Sequence, residues 1–80
     1  MKVKRYIEVY DNTTDELLFS YRITLLDELV IKIINPDDDD KYAVFSYDLN
    51  KSQVIQLGGY VLIEAFKNKD VSFHSACYLD

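Results

Sequence analysis

Eighty residues, 49% hydrophobic and 14% aromatic, with a net charge of −5, fit a single domain with one modest core. The chain is too apolar for a disordered tail and too short for a deep enzyme cleft beside its core. A single cysteine precludes an internal disulfide, no Cys/His spacing suits a metal, and the acidic balance disfavours tracking a nucleic-acid backbone.

In chain order, Lys2 to Tyr10 alternates with period two, which predicts a half-buried strand. Val3, Ile7 and Val9 share its apolar face, with Arg5 as the exception there. Tyr6 and Tyr10 fall on the outer face. Asp11 to Asp15 is turn chemistry, and Glu16 to Ile23 alternates again with Leu17, Phe19, Tyr21 and Ile23 on one side, so the two runs predict an antiparallel hairpin. Thr24 is the expected cap of a helix carrying Leu25, Leu26, Leu29, Val30, Ile33 and Ile34 as one apolar stripe, ended before Pro36.

Asp37, Asp38, Asp39 and Asp40 follow, and four adjacent carboxylates are expected to be solvated. Tyr42 to Leu49 reads as a third strand with Ala43, Phe45, Tyr47 and Leu49 on one face. Asn50, with Gln53 three residues on, caps a short second helix that Gly58-Gly59 stops. The apolar run from Tyr60 to Phe66 reads as an inner strand, Lys67 to Asp70 as a turn, and Val71 to Leu79 as the last strand. The expected order is ββαβαββ across one domain, residues 1–80. This is an α+β fold, a mostly antiparallel sheet of four to five strands with two helices on one face.

Residues 8–48 carry eleven carboxylates against three cations, an imbalance that favours a basic partner. No run approaches the ~18 apolar residues of a membrane span, and no apolar segment of a signal peptide follows Lys2-Val3-Lys4-Arg5. With the lone cysteine, this predicts a cytoplasmic protein.

The residues predict no catalytic, cofactor or metal site. Calcium loops space their ligands alternately and need a glycine at the sharp turn, whereas these four Asp are consecutive and followed by Lys41. Pro36-Asp37 with Asp39-Asp40-Lys41 has the lettering of a nuclease motif, but that chemistry needs carboxylates spread over two strands. His74 and Cys77 lie three apart in a strand and so point to opposite faces, which removes a local nucleophile–base pair. What remains is surface: an acidic loop beside Tyr42, with Asp48 further on. Tyrosine is enriched at binding interfaces, and carboxylates pair with arginine on a partner.

The opening hairpin Ile7-Glu8-Val9-Tyr10-Asp11 … Asp15-Glu16-Leu17-Leu18-Phe19-Ser20-Tyr21, the Asp-rich loop leading to Tyr47-Asp48-Leu49-Asn50, Gln53 in a short helix, and Tyr60-Val61-Leu62-Ile63-Glu64 form a recognisable combination. It resembles the small acidic bacterial immunity proteins of contact-dependent growth inhibition and related polymorphic toxin systems. The resemblance implies a non-enzymatic inhibitor that binds one cognate secreted toxin domain, often a nuclease, in the cytosol of the producing cell. On this reading Asp37, Asp38, Asp39, Asp40, Tyr42 and Asp48 form the partner-binding surface, and no cofactor, nucleic acid or membrane is engaged. The alternative is a regulatory or structural adaptor that homodimerises through a sheet edge or through Tyr6 and Tyr10.

Overall fold

The computed structural model describes residues 2–79. Strands β1 (Val3–Asp11) and β2 (Leu17–Arg22) form the predicted hairpin. Helix α1 (Asp27–Ile34), the two-residue strand β3 (Asp48–Leu49), helices α2 (Lys51–Gln56) and α3 (Tyr60–Ala65), and strand β4 (Val71–Leu79) follow. The sheet is antiparallel throughout, in the order β2-β1-β4-β3. The α+β class and the four-stranded antiparallel sheet agree with expectation. Among the described residues the helices number three rather than two.

The β1–β4 pairing runs from Val3 opposite Leu79 to Asp11 opposite Val71, so β1 is central, and Arg5, Ile7 and Val9 are buried on one of its faces. Ile7 and Val9 are fully inaccessible, and Val30, Ile34, Val54, Leu57 and Leu62 from all three helices complete the core on that face. β2 pairs Phe19 with Val9 and Tyr21 with Ile7, as the alternation requires. The register then slips, leaving Leu18 without a partner and placing Leu17 opposite Tyr10. That bulge takes Leu17 off the core face, and it stays half exposed.

Three local expectations are corrected. Tyr60 to Phe66 is not an inner strand. A seven-residue, largely apolar run is ambiguous by periodicity, and here Leu62, Ile63 and Phe66 fall at helical spacing towards the core while Tyr60 and Val61 are exposed. As helix α3 the segment packs over the sheet on the core side instead of joining the β2-β1-β4-β3 ladder. Residues 42–47 are not a strand either; only Asp48 and Leu49 reach the ladder. Thr24 does not cap α1: the helix begins at Asp27 behind Leu26, with no side-chain cap. Its first turn is held by acidic residues at the positive end of the dipole and by an ion pair from Asp27 to Arg5. The buried stripe is accordingly narrower than predicted: Val30 and Ile34 are buried, but Leu25, Leu26 and Leu29 are exposed.

The helix ends follow the sequence signals closely. Asn35 takes the left-handed conformation after α1 (φ 54°) and its N–H bonds to the Ile31 carbonyl, with Pro36 next. Asn50 and Gln53 bond reciprocally at the start of α2, and the Gln53 side chain also donates to the Ile33 carbonyl at 3.1 Å, tying α2 to the end of α1. Among the described residues no helix is long and apolar enough to cross a membrane.

Gly59 marks the tightest corner. A Cβ there would meet Ile7 Cδ1 at 2.8 Å and Val54 Cγ1 at 3.0 Å, so the α2–α3 turn rests directly on the central strand. We expect Gly59→Ala to destabilise the fold by about 1–3 kcal/mol through overpacking. Urea unfolding checks this, and unchanged stability would mean that the corner yields.

Candidate functional site

The loop 35–47 lacks regular structure, yet it is pinned from both sides. Arg5, on the helix-facing side of β1, is only 5% exposed. Its Nε donates to Asp27 at 2.9 Å, its Nη1 to the Ala43 carbonyl at 3.0 Å and its Nη2 to the Tyr42 carbonyl at 2.7 Å. Ala43 accordingly sits at φ 52°, a left-handed geometry that a non-glycine residue adopts at some cost.

Asp40 fixes the loop from within. Its Oδ1 accepts the Val44 N–H at 3.0 Å, and its Oδ2 accepts the Phe45 N–H at 3.0 Å and the Tyr47 hydroxyl at 2.6 Å. The Tyr47 hydroxyl in turn accepts the Asp37 N–H at 3.3 Å, so one phenol bridges both ends of the acidic run. Burial pushes the Asp40 carboxyl up. The bonds from Tyr47, Val44 and Phe45 and the charge of Arg5 outweigh that and hold it below its ordinary value. Burial and the bond to Asp40 push the Tyr47 phenol up.

The expectation that all four Asp are solvated is therefore corrected for Asp40. Its residue is 5% exposed and its carboxylate is engaged by the loop itself, so it positions the loop and is not free to meet a partner. The burial cost is met because the charge is bonded on both oxygens, a solution that a run of four identical residues conceals. Asp37, Asp38 and Asp39 are exposed. Tyr42 is exposed as well, with Lys41 Nζ 5.0 Å from its ring centroid, and Val44 and Phe45 also point outward. The outward Phe45 differs from the inner strand face that its alternation with Ala43 and Tyr47 predicts.

Asp48 belongs to another neighbourhood. It pairs across the sheet with His74, and its Oδ1 lies 2.9 Å from His74 Nδ1. This is the sheet face away from the helices, where Glu8 lies opposite His74. Glu8 is 7% exposed, and its two oxygens accept the hydroxyls of Tyr10 at 3.0 Å and Tyr78 at 2.6 Å. Those bonds, with burial and the Glu8 charge, raise both phenols, Tyr78 to about 12. Tyr6 packs edge-on to Tyr78, Tyr10 edge-on to His74, and Arg22 lies over the Tyr6 ring. Tyr6 and Tyr10, the contacts of the homodimer alternative, are thus engaged within the chain. Cys77 sits opposite Arg5 on the other face and does not meet His74. Among the described residues no group of His, Cys, Asp or Glu is arranged to hold a metal.

Fold and site together define a small α+β domain that presents an acidic-aromatic loop pinned by hydrogen bonds. Residues 4–74 match the family described as a domain of unknown function (DUF7683), and the chain belongs to that family. No curated protein and no solved structure gives a match.

Two pH effects follow. Asp40 has a folded value below its ordinary 3.8, so it contributes stability that is present above that pH and lost as pH falls through the folded value. Asp40→Asn should lower stability at neutral pH and flatten the acid limb of the unfolding curve, whereas Asp38→Asn should stay within about 0.5 kcal/mol of the parent. Tyr78 works in the opposite sense. Its raised value contributes stability that is intact below pH 10 and lost as pH rises towards about 12. Tyrosinate absorbance should show a late-titrating phenol that Glu8→Gln brings forward.

Proposed function

We propose that the protein is an immunity protein: it binds and neutralises a cognate secreted toxin domain, a basic nuclease by the charge it must complement, in the cytoplasm of the producing cell. The observation that supports this reading most is the pinned loop. Arg5, Asp40 and Tyr47 hold its backbone while Asp37, Asp38, Asp39, Tyr42 and Phe45 remain exposed. A loop ordered before binding loses less entropy on association, and aromatic anchors beside carboxylates are the residue types that dominate interfaces with basic surfaces. The action is steric and electrostatic. The acids approach a cleft shaped for phosphate, Tyr42 and Phe45 supply apolar contact, and no bond is made or broken. Asp40 serves as a positioning residue, and Asp48 lies apart from the loop on the opposite sheet face.

The test is association kinetics with any basic toxin domain found to be encoded next to this chain. Asp37→Lys with Asp39→Lys should slow the on-rate by about tenfold or more at low salt, with the difference shrinking as salt is raised. An on-rate indifferent to both changes would overturn the electrostatic mechanism, and failure to bind any such toxin would overturn the assignment.

A further inference from the structure

A second surface carries an inference about how a basic partner is gripped. A groove of about 380 Å³ opens between the hairpin tip and the end of the loop, lined by Tyr10, Asn12, Asp15, Ser46, Ser72 and His74. Its walls are fixed. Asn12 donates its backbone N–H to the Asp70 carbonyl at 3.0 Å and its side-chain amide to the Asp70 carboxylate at 2.7 Å, while the Ser72 hydroxyl donates to the Asn12 side-chain oxygen. These bonds staple the hairpin tip to the start of β4. Tyr10 is held edge-on to His74, its hydroxyl bonded to Glu8.

The pattern of used and unused groups defines what fits. Most side-chain donors are engaged: one N–H of the Asn12 amide, the Ser72 hydroxyl, the Tyr10 hydroxyl and the His74 Nδ1–H that faces Asp48. Two acceptor groups are open: neither the Asp15 carboxylate nor the Ser46 hydroxyl has a side-chain hydrogen bond among the described residues. No Lys or Arg lines the groove, and Asp48 adds a second carboxylate at the His74 wall. The complement is a donor-rich cation with a flat face.

We propose that this groove receives an arginine side chain of the basic protein partner, its guanidinium bonding Asp15 and the open acceptors and stacking against the Tyr10 wall. Arginine fits better than lysine because five donors in a plane match several acceptors and an aromatic wall at once. The proposal rests on the reading of the protein as the binder of a basic partner. It adds an anchor point on the opposite sheet face from the pinned loop, so the interface would wrap the β3 edge.

The whole protein can be titrated with acetyl-arginine amide while amide resonances are followed, with acetyl-norleucine amide and inorganic phosphate as controls. Saturable shifts centred on Asn12, Ser46, Ser72 and His74 are expected with the arginine probe alone. Asp15→Asn should weaken its apparent affinity by roughly threefold to tenfold. Asparagine tolerates the left-handed φ of 62° at position 15, so the variant keeps the turn. Equal shifts with the norleucine probe, shifts centred on residues 37–39, or none that saturate would each overturn the groove assignment. Such a failure leaves the loop reading intact, because the loop acids do not line this groove; an unchanged on-rate in the lysine variants would equally leave the groove result standing.

Discussion

A guanidinium buried on the apolar face of a central strand is an expensive group, and much of this structure answers to it. Arg5 lies between Val3 and Ile7, on the face that carries the helices. Leaving a buried donor unmet costs about 1–3 kcal/mol, and more for a charged one. Arg5 therefore needs acceptors brought to it, and they come from two places: the carboxylate of Asp27 at the start of α1, and the carbonyls of Tyr42 and Ala43. The first sets where α1 begins. The second turns the backbone inward at Ala43, which ends any prospect of a strand through residues 42–47. Asp40 completes the arrangement from the other side by taking the N–H groups of Val44 and Phe45 that a strand would have given to a neighbour.

This arrangement separates two tasks within one acidic run. Asp40 is inside and organises; Asp37, Asp38 and Asp39 are outside and keep their charges in water. Rigidity and exposure then coexist in a segment with no regular structure. The consequence for recognition is that the loop can present carboxylates and the rings of Tyr42 and Phe45 without first having to order itself. The opposite sheet face is organised by the same chemistry with the signs exchanged. A nearly buried carboxylate, Glu8, is met by two phenols, and the tyrosine and histidine rings around it are locked in place.

Membership of a family of unknown function over residues 4–74 means that the arrangement spans nearly all of the matched segment, from Arg5 to His74. The functional reading is carried by charge and preorganisation, two properties that do not depend on any catalytic group. The two surfaces proposed for a partner lie on opposite sides of the sheet and are joined around its β3 edge by the loop that contributes Ser46.

Local signals were legible where the chain settles its own backbone. The hairpin from Lys2 to Ile23, the end of α1 at Asn35-Pro36, the Asn50–Gln53 cap and the last strand follow from period-two alternation and capping chemistry, which act over a few residues. Arg5 was visible as the one charge out of phase in its strand, but its partners, 22 to 38 residues away, were not. The run from Tyr60 to Phe66 carries a pattern compatible with either state, and the helix is the state in which Leu62, Ile63 and Phe66 all pack on the core. Composition also determined that residues 8–48 would be strongly acidic. Which carboxylate of four turns inward, and that Asp48 faces away from the others, was decided only by tertiary structure. Adjacent aspartates are chemically identical, and only the position of Tyr47 and Arg5 in the folded chain distinguishes one of them.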